Sequence, residues 1–367
     1  MTTTPASTAA RAPRLRSLDA LRLVAALAVV AFHFTARENV AWGTAVENVF
    51  PRVGEITAYG YLGVHVFFLI SGFVILMSAW GADVGRFAAS RVGRLYPAYW
   101  AGVLLTAALI LVVRPETAGS RVDMGVKEVL VNLTMVQRAL DVRHVDGVYW
   151  TLWVELKFYL LVGLFVWIGI TRARVLLVCA LWPLLAIIGQ LNGVALANDL
   201  LQPDYAPLFA IGMLLYLVHR EGWSATPLLL IVLNWLVVVQ KSDGPYLSSF
   251  DGAVAADLNG TVVAAGITLG LLAVVVLTTT RLQHLDARWM TTAGVLTYPL
   301  YLVHEEIGWW FISLIRQTGL PVPAVLVLAL AAVLLLAAAI HHGIEKPLCS
   351  RLRRAVHRSI ESAPTPR

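Results

Sequence analysis

Ten runs of predominantly apolar residues dominate this chain, most of them close to the roughly 20 residues a helix needs to cross a bilayer. They lie at 18–36, 59–80, 96–114, 149–170, 175–192, 205–219, 225–240, 260–280, 292–315 and 322–342. In hydrocarbon a backbone has no water to bond to, so such runs must close their own hydrogen bonds as helices or pair as a closed barrel. Barrel strands alternate apolar and polar residues, and runs such as 271–277 do not. The predicted fold class is therefore all-α, a polytopic membrane protein with about ten transmembrane helices. Charged residues make up 14% of the chain and hydrophobic ones 59%, whereas a soluble domain carries about 25% charged residues. That composition excludes a soluble enzyme, a disordered chain and a secreted disulfide scaffold. Cys179 and Cys349 are far apart in the sequence and suggest neither a disulfide framework nor a zinc site.

Lys and Arg in short loops set the orientation of such a bundle. With the N-terminus in the cytoplasm, the inner ends collect Arg11, Arg14, Arg16, Arg86, Arg91, Arg94, Arg172, Arg174, Arg220, Arg281 and Arg288. The closing Lys346, Arg351, Arg353, Arg354, Arg358 and Arg367 join them, and together they outnumber the basic residues of the outer loops. Most acids fall outside, among them Asp199, Asp204, Asp243, Asp251 and Asp257. Both termini are expected to be cytoplasmic. The net charge of +6 then reads as topology and contact with anionic membrane lipid, with no nucleic-acid partner. Residues 1–17 read as a disordered basic cytoplasmic tail, 18–345 as one transmembrane domain and 346–367 as a basic cytoplasmic C-terminal tail. The first run reads as an anchor helix rather than a signal peptide, because Arg37 and Glu38 follow it and no small-x-small cleavage site does. The stretch 115–148 is the one long loop expected.

Ionisable residues inside spanning helices are costly and mark functional candidates. The first helix holds Asp19, Arg22 and His33. Eleven steps of 100° bring Arg22 and His33 to within about 20° of one face, about 16 Å apart. Taken singly, Arg22 is explained by a snorkelling anchor and His33 by a helix-packing hydrogen bond. Together they describe an anion clamp at the cytoplasmic rim with a buried base beyond it. In the fourth helix Thr151, Glu155 and Tyr159 share a face by i, i+4 spacing, while Lys157 points elsewhere. Read from outside to inside, this helix puts Glu155 at a depth similar to His33. A carboxylate there would set the imidazole's tautomer and stabilise its protonated form.

The ninth helix carries Tyr301, His304, Glu305 and Glu306 well inside an apolar stretch. They face a cavity or another helix, unless the helix ends early and leaves both glutamates in water. Pro299 is expected to kink this helix and release a backbone carbonyl. Gly63, Gly72 and Ser71 in the second helix suit close helix packing. Arg86, Arg91 and Arg94 precede Tyr96-Pro97 and can hold phosphates with guanidinium forks, or serve topology alone. His341 and His342 have no carboxylate or Cys at ligand spacing, so no metal is expected.

Taken in order, these segments resemble the acyltransferase-3 family, bacterial integral-membrane enzymes that O-acylate glycans and some antibiotics. LDALRLVAALAVVAFHF is similar to the family opening, with its Arg, ten residues and His standing as Arg22 and His33. VHVFFLISGFVI resembles the second helix, RVGRLYPAYW the lead into the third, and YWTLWVELKFYLL the Trp-Ser-Leu-x-x-Glu helix. TYPLYLVHEEIG and IEKPL resemble the closing segments, so the likeness runs from about residue 15 to 349. The chain departs from the family at Thr151 and Trp153, where Ser is frequent, and at Lys157, where acidic or neutral polar residues are usual. It shows no appended esterase-like domain, so the acceptor is expected to reach the membrane domain itself.

The resemblance implies transfer of an acyl group, usually acetyl, at the membrane of a bacterial cell. The donor would be acetyl-CoA or another acyl-CoA, and the acceptor a hydroxyl of a glycan, a lipid-linked sugar or a macrolide-type molecule. Arg22, with Arg91 and Arg94, would hold the donor phosphates. His33 would act as base or acyl relay with Glu155 orienting it, Tyr301 or backbone donors near Pro299 would stabilise the oxyanion, and His304 is counted among the catalytic residues. A proton-coupled transporter is the rival reading, because buried His, Glu and Arg suit a carrier too. Such carriers often show internal repeats, and the two halves here are not alike. Association into a homo-oligomer is left open by the sequence.

Overall fold

The computed structural model describes residues 15–242, 252–254 and 256–361. Arg11, Arg14, Asp243, Asp251, Arg367 and most of the expected N-terminal tail lie outside them. The described residues form helices, with one isolated bridge between Arg37 and Val254. The long helices are α1 (Arg16–Thr35), α2 (Gly63–Ala79), α3 (Val84–Ala108), α4 (Trp150–Ile168), α5 (Arg172–Leu191) and α6 (Ala206–Glu221). They continue as α7 (Ala225–Gln240), α8 (Gly260–Thr279), α9 (Arg288–Val303), α10 (Glu306–Arg316), α11 (Val322–Ile340) and α12 (Lys346–Glu361).

Among the described residues, eight helical stretches are long and apolar enough to cross a membrane. The predicted run 225–240 forms the shorter apolar helix α7, of 16 residues. The run 292–315 is not one helix but two, α9 and α10, parted at His304 and Glu305. The break does not come at Pro299, which lies within α9; the ladder stops about a turn later, where Glu305 leaves helical geometry at φ −77° and ψ −80°. Residues 346–361, read as tail, form α12 along α3, with Cys349, Leu352 and Val356 half-buried on one face.

Contacts place the basic helix ends together. Arg220 stacks on Trp80 at 4.0 Å, Arg172 pairs with Glu221 at 2.9 Å, Ser17 Oγ donates to the Leu277 carbonyl, and Arg16 pairs with Asp286. Together they make up the basic end of the bundle.

The centre of the bundle is α6, whose residues from Ala206 to Val218 are all buried. Lipid offers little hydrophobic drive for helix association, so close backbone packing must hold such helices together. Gly72 of α2 faces Gly212 of α6, and a Cβ on either would run into the other helix's backbone. Gly212→Ala presses on the Leu69 carbonyl, which no side-chain rotation can relieve. We expect it to destabilise the protein by about 1–3 kcal/mol, read as a lowered thermal midpoint in detergent; an unchanged midpoint would show that the crossing gives way freely.

The last carbonyls of α1 have no partner within the helix. Two indoles supply one: Trp309 Nε1 donates to His33 O and Trp42 Nε1 to Phe34 O, both at 2.8 Å. This ties the end of α1 to α10 and fixes the backbone that carries His33.

The long loop folds back along α3. Tyr96 and Tyr99 donate their hydroxyls, and Trp100 its indole N–H, to the carbonyls of Thr134, Asn132 and Leu133. Asn132 in turn binds Arg143 O and Val145 N. The loop therefore hands the chain to α4 inside the bundle, where Tyr149 OH donates to Leu302 O of α9 at 3.1 Å.

Candidate active site

A cavity of about 490 Å³ opens among α1, α2, α3, α4, α9 and α12. Arg22, Arg91 and Arg94 line it towards the basic end, joined by Arg353 of α12. Arg22 has Asp19 at 3.8 Å, and Arg94 donates to Glu345 at 2.7 Å. Glu345 also contacts His341 at 2.8 Å, so a carboxylate does stand at i, i+4 from that histidine, contrary to the expectation from sequence. Farther in, Ser71 Oγ donates to Glu155 Oε1 at 2.7 Å, and Tyr159 stands on the same wall. The inner end is closed by Thr151 and Tyr301, whose hydroxyls share a hydrogen bond of 2.9 Å.

Behind that pair lie two buried imidazoles. His33 Nδ1 is 2.9 Å from Val29 O and 3.2 Å from His304 Nε2, and His304 Nδ1 is 2.8 Å from Tyr301 O. A carbonyl oxygen only accepts, so each ring carries its proton on Nδ1. His304 Nε2 then accepts from His33, and His33 Nε2 is left with a lone pair. That atom faces Glu305 Oε1 at 3.6 Å. The arrangement is a base with its tautomer fixed on one side and a carboxylate ready for its protonated form on the other.

Glu305 belongs to a buried acidic cluster. Its carboxylate packs on Gly147, in the space where any Cβ at that position would stand. Asp146 accepts from the Val148 and Glu306 N–H groups at 3.2 and 3.3 Å, capping the turn into α4 and the start of α10 at once. Arg121 donates to Glu306 at 2.6 Å. Three buried carboxylates against one guanidinium cannot all be ionised. Asp146, in the loop before α4, is held well above the usual carboxylate range by burial and by its acidic neighbours Glu305 and Glu306. Among the described residues, no group of three or more His, Cys, Asp and Glu side chains is arranged to hold a metal ion.

The structure thus brings His33, His304 and Tyr301 together, and Arg22, Arg91 and Arg94 together, but it separates Glu155 from His33. The carboxylate facing His33 is Glu305. The reason is the inward fold of residues 115–148: α4 starts level with Tyr301 and Leu302, which carries Glu155 farther towards the basic end than a surface start would. Lys157 points away and pairs with Asp199 at 3.2 Å. Sequence reasoning gave Asp146 no role and used Arg121 and Arg353 only for the orientation of the bundle. The three successive ionisable residues 304–306 were the one available signal for the acidic cluster.

The acyltransferase family described as Acyltransferase domain (Acyl_transf_3) matches residues 15–342. The acyltransferase MdmB of Streptomyces mycarofaciens is 33% identical over 153 residues, 41% of this chain and 38% of that relative. The alignment therefore spans well under half of the relative's length. No solved structure matches the chain.

Proposed function

The chain belongs to the acyltransferase-3 family, and on that premise we propose that it is a membrane-embedded O-acyltransferase. It moves an acyl group, acetyl in the first instance, from acyl-CoA to a hydroxyl of a glycan or glycosylated acceptor. The observation that carries this reading is a single cavity with arginines at its mouth and, past two hydroxyls at its inner end, an imidazole whose free lone pair faces a carboxylate. The basic end lies in the cytoplasm of a bacterial cell, so the donor enters from that side.

Arg22, Arg91 and Arg94 hold the donor's diphosphate with charge-assisted hydrogen bonds, and its arm runs inward to Tyr301. The acceptor oxygen attacks the thioester carbonyl: a C–O bond forms, the C–S bond breaks, and the hydroxyl proton passes to His33 Nε2 and then to the departing thiolate. Glu305 stabilises the imidazolium, His304 holds the opposite ring nitrogen, and Tyr301 and Thr151 supply hydroxyl donors for the oxyanion. Glu155, fixed by Ser71, offsets the charges of Arg22 and Arg91 and sets the field at the donor site.

The first acceptor class is a sugar hydroxyl on a lipid-linked or surface glycan, and a glycosylated macrolide is the second. The test is acetyl-CoA consumption by purified protein in lipid, with each acceptor class supplied in turn. Failure to bind any acyl-CoA, with counterflow of a solute instead, would replace the enzyme by a carrier. Arg22→Ala is expected to raise KM for acetyl-CoA about tenfold or more with a smaller change in kcat; an equal fall in kcat alone would move Arg22 out of donor binding.

A further inference from the structure

A second hollow, of about 440 Å³, lies between α3 and α12 and is lined by Arg86, Arg353, Arg354, His357 and Arg358 with the small residues Ala89 and Ser90. Asp83 offsets part of its charge, at Arg86 and His357. Arg86 has Asp83 at 3.3 Å, but among the described side chains, which end at Ile360, no carboxylate pairs with Arg353, Arg354 or Arg358. In the first cavity, by contrast, Asp19 faces Arg22 and Glu345 takes Arg94. Clustered guanidinium groups without counter-ions repel one another and favour a phosphate between them.

The hollow also adjoins the cavity proposed for the donor. Ser90 and Arg353 line both, and α12 packs tightly enough on α3 that Gly93 lies against Cys349 and Arg353. A coenzyme A thioester carries its diphosphate in mid-molecule and a third phosphate on the ribose, at the end away from the acyl group. With the diphosphate at Arg22, Arg91 and Arg94, the nucleoside end must leave the cavity mouth, and Arg353 marks the way out.

We propose that the α3–α12 hollow is a phosphate-binding subsite that takes the 3′-phosphorylated ribose of the donor, with Arg354 and Arg358 as its principal ligands. The proposal rests on the acyl-CoA reading and deepens it. It makes α12 part of the donor site rather than a topological tail. The same chemistry would also suit the phosphate of an anionic lipid headgroup, so the test has an arm for each source.

The experiment is calorimetric titration of the full chain in detergent with acetyl-CoA and with 3′-dephospho-acetyl-CoA. The unsubstituted protein is expected to bind acetyl-CoA about tenfold or more tightly than the dephospho compound, the scale of a lost charge-assisted bond. The double variant Arg354→Gln/Arg358→Gln is expected to bind both ligands equally, at the affinity the unsubstituted protein has for the dephospho compound. Retained dephospho binding also shows that the variant is folded. Equal binding of both ligands by the unsubstituted protein would overturn the subsite and leave the donor reading standing. So would a variant that weakens both ligands alike. Loss of the discrimination in phosphatidylglycerol nanodiscs but not in phosphatidylcholine ones would assign the hollow to lipid. Binding of neither ligand would overturn the acyl-CoA reading, and the subsite with it.

Discussion

Alanine at position 33 is expected to slow acyl transfer by about 10²–10⁴-fold while acetyl-CoA still binds. The expectation follows from where the imidazole sits. Its Nδ1 is committed to Val29 O and His304, so Nε2 is the basic atom, and Glu305 stands at 3.6 Å to favour the proton once it arrives. None of these groups lines the arginine-rimmed cavity, so removing the ring leaves the donor's contacts in place. The backbone at that point is held by Trp309 through the His33 carbonyl, which the substitution does not touch. Thioester loss and acetyl-CoA affinity should therefore separate, the first falling and the second unchanged. Full transfer activity in His33→Ala would remove the base from the mechanism, and a parallel loss of affinity would make its role structural.

The second large effect is on stability. Arg121→Met leaves Glu306 buried without the guanidinium that it accepts from at 2.6 Å. Removing one partner of a buried pair costs about 3–5 kcal/mol, because the other charge stays behind. Here the cost is compounded, since Asp146 and Glu305 are buried beside it. Adding Glu306→Gln removes the stranded charge, so the double variant should regain most of the loss. Thermal unfolding of the four proteins in detergent closes the cycle. A single variant as stable as the parent would show that the cluster rearranges or takes up a proton at no cost.

The helices were legible because a backbone in lipid has few choices, and the apolar runs mark where they must lie. The pairing of Arg22 and His33 on one face was legible because helical period is local. Glu305 was not, for two reasons. The apolar runs on either side of residues 304–306 read as one helix, and the break between α9 and α10 depends on Asp146, which caps α10 from a distant loop. And the depth of Glu155 depended on residues 115–148 folding inward, held by Tyr96, Tyr99 and Trp100 on carbonyls that any sequence would present. The positions of Arg353 and Arg354 were equally hidden, because a basic amphipathic stretch reads the same whether it floats free or packs on a neighbour.

The hydrogen bond between Thr151 and Tyr301 has a bearing on waste. A thioester left beside a free imidazole and water is a substrate for hydrolysis, and an idle enzyme would drain the cell's supply of activated acyl groups. In this chain the arginine-lined cavity proposed for the donor stops at two hydroxyls, and His33 Nε2 lies on their far side. On the proposed reading the pair would act as an airlock: the acyl group could wait, bound, without meeting the imidazole. Thrift, on this reading, would be set by one contact between two side chains, the same two that the proposed mechanism turns to the oxyanion.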